Sequence, residues 1–71
     1  MTFDRPLEAR WYTTEEVARI LGVDASSLRR WRTALPPQGP PFVQVSDRVI
    51  RYSSVDVEAY LQARRVDPMA A

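Results

Sequence analysis

Cysteine, histidine and lysine are all missing from this chain of 71 residues. The lack of cysteine excludes a disulfide framework and a thiolate metal site, and the lack of histidine removes the commonest metal ligand and general base. No catalytic residue, metal or cofactor is therefore expected, and the chain is not expected to be an enzyme. Long apolar runs are missing too. None approaches the roughly 20 residues that span a bilayer, and the N-terminal stretch MTFDRPLEAR is charged, without the apolar core of a signal peptide. The expectation is a soluble, cytoplasmic protein with no membrane partner and no small-molecule ligand. So short a chain holds one small domain, near the lower limit for folding alone.

What is present is arginine, and it is unevenly placed. The net charge of +1 divides into −2 over residues 1–25, +4 over residues 26–51 and −1 over residues 52–71. All ten basic residues are arginine. Arginine suits paired contacts with phosphate and guanine, although a GC-rich coding sequence produces the same bias without a functional cause.

Residues 1–10 show no periodicity, mix charge with Pro6 and read as a flexible N-terminal arm, with a minor-groove contact as the alternative. The foldable domain spans 11–65. Its first helix begins with an entry signature: Thr13 as cap, Glu16 at the third helical position reaching back, and Tyr12 packing on Val17. Glu15 and Glu16 also favour the exposed amides of the first turn. A pair of catalytic carboxylates is the rival reading. Neighbours on a helix point about 100° apart, however, and the stretch supplies no nucleophile or electrophile. Val17, Ile20 and Leu21 should be buried, with Ala18 where another helix crosses closely and Gly22 providing the left-handed end. Asp24 then caps a second helix, with Val23 and Leu28 as its staple. A helix, a short turn and a helix suit the crossed pair of a helix-turn-helix.

On the second helix, Leu28, Trp31 and Leu35 fall on one side and Ser26, Arg29, Arg30 and Thr33 on the other. A merely solvated arginine face is the ordinary alternative. Here no acid occurs between Ala25 and Leu35, and Ser26 and Ser27 are small enough for the helix N-terminus to approach DNA closely. Ser26, Arg29, Arg30 and Thr33 are therefore expected in the major groove, with Arg30 first, then Arg29, as candidates for paired hydrogen bonds to guanine. Ser27 is expected at the DNA backbone. Arg32, nearer the core, suits phosphate or packing of its stem on Trp31.

Proline excludes helix from Leu35-Pro36-Pro37-Gln38-Gly39-Pro40-Pro41, so this segment is a stiff connector that fixes the exit from the second helix; a proline-rich ligand for a partner domain is the alternative. Phe42–Val45 and Val49–Tyr52 alternate around the polar trio Ser46-Asp47-Arg48, which predicts a hairpin with Arg48 at or beside its tip. A hairpin arginine beside such a helix is placed to enter the adjacent minor groove, where negative potential favours arginine; an ordinary solvated turn is the alternative. Arg51 either meets the DNA backbone from the strand or pairs with an acid such as Asp56. A third entry signature, Tyr52 with Ser53 as cap, Asp56 and Val57, opens a last helix. Val57, Tyr60 and Leu61 should close the core, with Arg64 and Arg65 at the helix end. Residues 66–71 read as a flexible tail.

Thr13-x-x-Glu16-Val17-Ala18, Gly22-Val23, Leu28-Arg29-Arg30-Trp31, and Ile50-Arg51-Tyr52 followed by Asp56-Val57-x-x-Tyr60-Leu61 look like the small winged helix-turn-helix proteins of the excisionase group, which is related to the DNA-binding domains of MerR-type regulators. The order Arg30, the Pro36-Pro37 region, then Arg48 is similar to the recognition helix, proline connector and wing of phage excisionases. The resemblance implies a mainly α fold with a small β-hairpin in the order helix-helix-strand-strand-helix. It also implies binding to double-stranded DNA at an attachment region, DNA bending, an integrase as partner that performs the catalysis, and cooperative self-association on DNA. Two other readings are open: a small MerR-like transcriptional regulator lacking an effector domain, and a protein-interaction adaptor that does not bind DNA.

Overall fold

The structure, a computed structural model, describes residues 9–69. The elements are β1 (Trp11–Tyr12), α1 (Thr14–Leu21), α2 (Ala25–Thr33), β2 (Val43–Gln44), β3 (Ile50–Ser53) and α3 (Ser54–Ala63). From α1 onward this is the expected winged helix-turn-helix order. The addition is β1, which pairs antiparallel with β3 through Trp11 opposite Ser53 and Tyr12 opposite Tyr52, giving a three-stranded sheet in the order β1-β3-β2. Just ahead of β1, the Arg10 amide donates to Ser54 Oγ (3.1 Å) and the Ser54 amide donates to the Arg10 carbonyl (2.8 Å), so the last residue assigned to the arm is tied to the start of α3. The rest of that arm, residues 1–8, and residues 70–71 of the tail lie outside the described residues.

The ends of α1 follow from its sequence. Thr13 Oγ1 accepts from the Glu16 amide (3.1 Å) while Glu16 Oε1 accepts from the Thr13 amide (2.9 Å), a complete capping box. These bonds favour the charged carboxylate. The Thr13 backbone and then its side chain hold the Glu16 pKa below its ordinary 4.5, with smaller help from Arg19 and Arg51. At the other end Gly22 lies in the left-handed region (φ 72°), its amide donating to Arg19 O (3.2 Å) and that of Val23 to Ala18 O (2.9 Å), the Schellman pattern. The start of α2 differs from expectation. Asp24 occupies the cap position, but its exposed carboxylate takes no helix amide; only its carbonyl does, accepting from Ser27 (3.0 Å) and Leu28 (3.4 Å).

The core consists of Val17 and Ala18 from α1, Leu28 from α2, Tyr52 from β3 and Val57 from α3, with Tyr12, Leu21, Trp31, Phe42 and Ile50 packed around it. Three expected core residues are out. Ile20 is 47% exposed because the buried arc of α1 runs through Val17, Leu21, Thr14 and Ala18, and Ile20 lies roughly 100° away from its centre. Leu35 is 95% exposed because α2 stops at Thr33 and Ala34 is already extended, so helical spacing no longer places it. Leu61 is 43% exposed: burial on α3 is confined to its first turn, at Asp56 and Val57, and the later turns run beyond the core. In those later turns Arg64 stands over the Tyr60 ring, 3.7 Å from its centroid.

The connector folds back on α2. The Gln38 amide donates to the Trp31 carbonyl (2.8 Å), and Pro40 is fully buried. Gly39 adopts φ +86°, with Trp31 Cε3 only 3.1 Å from where a Cβ would stand. The chain then enters the hairpin, Val43 opposite Arg51 and Gln44 opposite Ile50. Beyond them the Val45 amide donates to Val49 O (2.8 Å) and the Val49 amide to Ser46 O (3.3 Å), leaving Asp47 and Arg48 at the tip. No helix among the described residues is long and apolar enough to cross a membrane. The described residues also contain no cluster of three or more acids able to hold a metal ion.

Candidate nucleic-acid interface

Because Leu28 anchors the inner side of α2, the residues a half-turn away are forced outward. Ser26, Arg29, Arg30 and Thr33 are all exposed, as their spacing predicts. They are not equally available. The Thr33 hydroxyl donates back to the carbonyls of Arg30 (3.2 Å) and Arg29 (3.4 Å), which leaves it a methyl group and an acceptor to present. Arg30 donates to Ser27 Oγ (3.2 Å), which links a reading candidate to a backbone candidate on the same face. Arg29 is engaged more firmly: its Nη2 stands 2.6 Å from Glu15 Oε2 of α1.

Arg32 takes a third position, half-buried between the two helices and the sheet. Its Nη1 donates to Thr14 Oγ1 (2.9 Å) and to Tyr52 Oη (3.0 Å), and its guanidinium lies 5.8 Å from the centroid of the Phe42 ring. The aromatic it stands over is therefore Phe42, where the sequence suggested Trp31. One planar cation ties the first turn of α1, the last turn of α2 and β3 together, using both hydrogens of one nitrogen. Tyr52 and Thr14 are buried, so their hydroxyls depend on this partner.

The wing meets the helix pair at a polar cleft of about 160 Å³. Arg29 and Arg32 reach it from α2, Arg48 and Arg51 from the wing, and Thr13, Thr14 and Glu15 from the start of α1. Arg51 is held by a bond from its Nη1 to the Ile50 carbonyl (2.8 Å). Four of the expected DNA-contacting arginines thus converge, while Arg30, Ser26 and Thr33 lie along α2 outside the cleft. Among the described residues no carboxylate pairs with Arg30 or Arg48. A larger and more open depression of about 510 Å³, lined by Arg10, Tyr12, Glu16, Arg19 and Ile20, holds none of the expected contact residues.

Sequence reasoning overlooked Thr13, Thr14 and Glu15 as part of this surface and treated them as helix-entry residues only. Their placement follows from the crossing of α1 with α2, which local spacing does not report. An α-helix of 10–12 Å diameter fits the roughly 12 Å major groove. The face of α2 is free of acids and positive, with the wing arginine beside it.

No curated protein and no solved structure matches the chain. A family model described as a helix-turn-helix domain matches residues 11–65, from β1 to just past α3, with the turn at Gly22 and the α2 face inside it. The chain belongs to this helix-turn-helix domain family and is a small DNA-binding protein.

Proposed function

We propose that the protein is an excisionase, a recombination directionality factor that binds and bends attachment-site DNA so that an integrase carries out excision. The observation that supports this reading is the convergence of Arg29 from α2 and Arg48 from the wing tip on one cleft, so that the helix proposed for the major groove and the wing proposed for the minor groove share one side of a very small domain. A protein that grips adjacent grooves at once favours bent DNA, and deforming a duplex is how an architectural factor brings distant integrase sites together. The stiff path from Trp31 through Pro40 supports it, because a wing braced against the recognition helix transmits the bend instead of yielding to it.

In this reading Arg30 contacts a guanine edge, with Ser26 and Thr33 beside it, and Arg29, at the edge of the same major-groove face, meets a phosphate. Ser27 and Arg51 meet the DNA backbone, together with those donors of Arg32 not used within the fold. Arg48 enters the minor groove. Copies bind side by side at repeated sites and touch the integrase through surfaces outside this face. The test is an in vitro recombination assay with the neighbouring integrase and its attachment DNA, run with and without the protein. Excision that rises on addition of the protein supports the role. Equal product, with duplex binding intact, would instead assign the chain to promoter occupancy as a small MerR-like regulator.

A further inference from the structure

We propose that Glu15 is a built-in competitor for the DNA backbone: its carboxylate occupies, in the free protein, the place on Arg29 that a phosphate takes in the bound complex, and so holds down affinity for duplex DNA. The inference rests on the DNA-reading role given above to α2 and the wing, and goes beyond it by giving an acidic residue a part in setting affinity and its salt dependence.

The geometry is specific to this pair. Glu15 and Arg29 are 14 residues apart on different helices, and their 2.6 Å contact bridges α1 and α2 at the edge of the arginine cleft. Glu15 is the one carboxylate among the residues lining that cleft, surrounded by Arg29, Arg32, Arg48 and Arg51. Its side chain is 60% exposed and that of Arg29 52%, so an incoming anion reaches both without unfolding anything. Carboxylate and phosphate oxygens bind guanidinium in the same forked manner, which makes one a natural substitute for the other. A carboxylate left at this place faces the highest negative charge density on the duplex once DNA docks.

Breaking the Glu15–Arg29 pair is a cost that every duplex meets. The backbone must compete with a tethered carboxylate for Arg29, and in the complex a phosphate is held against Arg29 while Glu15 swings out. The released carboxylate retains a cation near the polyanion, which cancels the counterion release that Arg29 produces. Removing the carboxylate therefore adds one effective phosphate contact on every duplex.

The test compares wild type, Glu15→Gln, Arg29→Met and the double variant. Each binds two probes between 50 and 200 mM salt, a mixed-sequence 20-base-pair duplex and a duplex selected from random sequence by the wild-type protein. Glu15→Gln is expected to bind both duplexes about 3- to 10-fold tighter, with a log–log salt dependence steeper by about one unit. In the Arg29→Met background the same change is expected to have no effect. A merely structural role for Glu15 moves the melting temperature and leaves the salt slope where it was. An unchanged slope, or a gain that persists without Arg29, overturns the proposal. Absence of salt-dependent binding by wild type to either duplex overturns the DNA-reading role itself, a result distinct from the other two.

Discussion

Replacing Arg32 separates two roles that its position allows, a fold anchor and a phosphate ligand. In the folded protein its Nη1 serves the hydroxyls of Thr14 and Tyr52, of which Tyr52 is 1% exposed and Thr14 7%. Arg32→Ala leaves both without this partner. An unsatisfied buried hydroxyl costs about 1–3 kcal/mol, and the lost contact with the Phe42 ring adds about 0.5–1 kcal/mol. Water entering from the cleft restores part of the bonding to Thr14, which brings the expected total to about 2–3 kcal/mol. For a domain of this size the whole stability is roughly 4–10 kcal/mol. The expected fall in melting temperature is then about 10–20 °C.

Circular dichroism melts and urea titrations of wild type, Arg32→Ala, Tyr52→Phe and the double variant measure this directly. The double-mutant cycle should show a coupling of about 0.5–2 kcal/mol between Arg32 and Tyr52. A pure phosphate ligand behaves otherwise: stability within about 0.5 kcal/mol of wild type, and a DNA salt slope reduced by about one unit. If Arg32→Ala melts where wild type does, the anchoring role is wrong and Arg32 belongs with the exposed contact residues.

Arg30→Ala should lose about 1–3 kcal/mol of duplex affinity and relax preference at a single base, read out by binding to a set of singly substituted duplexes, with no change in melting temperature. Arg48→Ala should weaken binding to all sequences alike and reduce the DNA bend seen by gel mobility of circularly permuted duplexes. Gly39→Ala must place a Cβ at φ +86° and 3.1 Å from Trp31 Cε3, and a loss of about 1–3 kcal/mol in urea unfolding is expected. For Glu16 the sign follows from a folded pKa below the ordinary 4.5. Its stabilisation is complete above that value and is lost as pH falls through the folded pKa, because the unfolded chain then binds the proton first. Glu16→Gln keeps the capping bond without the titration, so the advantage of wild type over this variant should shrink from pH 7 to pH 3 in chemical unfolding.

Local grammar carried much of this fold in the open. Thr13, Glu16 and Gly22 mark the ends of α1 by bonds that span three to five residues, and Ser53 opens α3 by accepting from the Val55 amide. Leu28 against Arg29 and Arg30 states which side of α2 faces out. The tip of the wing was visible in the polar trio between alternating runs. What stayed hidden has partners far along the chain. β1 has only two residues, too few for any alternation, and its partner strand begins near residue 50. Glu15 reads as a first-turn acid until α1 and α2 cross and bring Arg29 to it. Ile20, Leu35 and Leu61 show a different limit: apolar spacing tells which side of a helix could be buried, but whether anything lies there depends on where the helix stops and how far its neighbours extend.

The distribution of arginine takes on a different meaning once each one is placed. Five lie between residues 26 and 51, where the sequence shows its only strongly positive stretch. In the folded protein Arg29 faces Glu15, Arg32 holds Thr14 and Tyr52, and Arg51 donates to the Ile50 carbonyl. Arg30 bonds to the half-buried Ser27 of its own helix, and Arg48 stands at the wing tip without a carboxylate partner among the described residues. A domain whose buried hydrophobic cluster numbers five among the described residues has little core to hold its wing against its helices, so part of its positive charge works as internal structure. That division leaves one uncompensated guanidinium on the reading helix and one on the wing. It also means that the +4 of residues 26–51 overstates the cations ready for DNA in the free protein, and that in the proposed competition releasing Arg29 from Glu15 is the step by which a duplex gains a third.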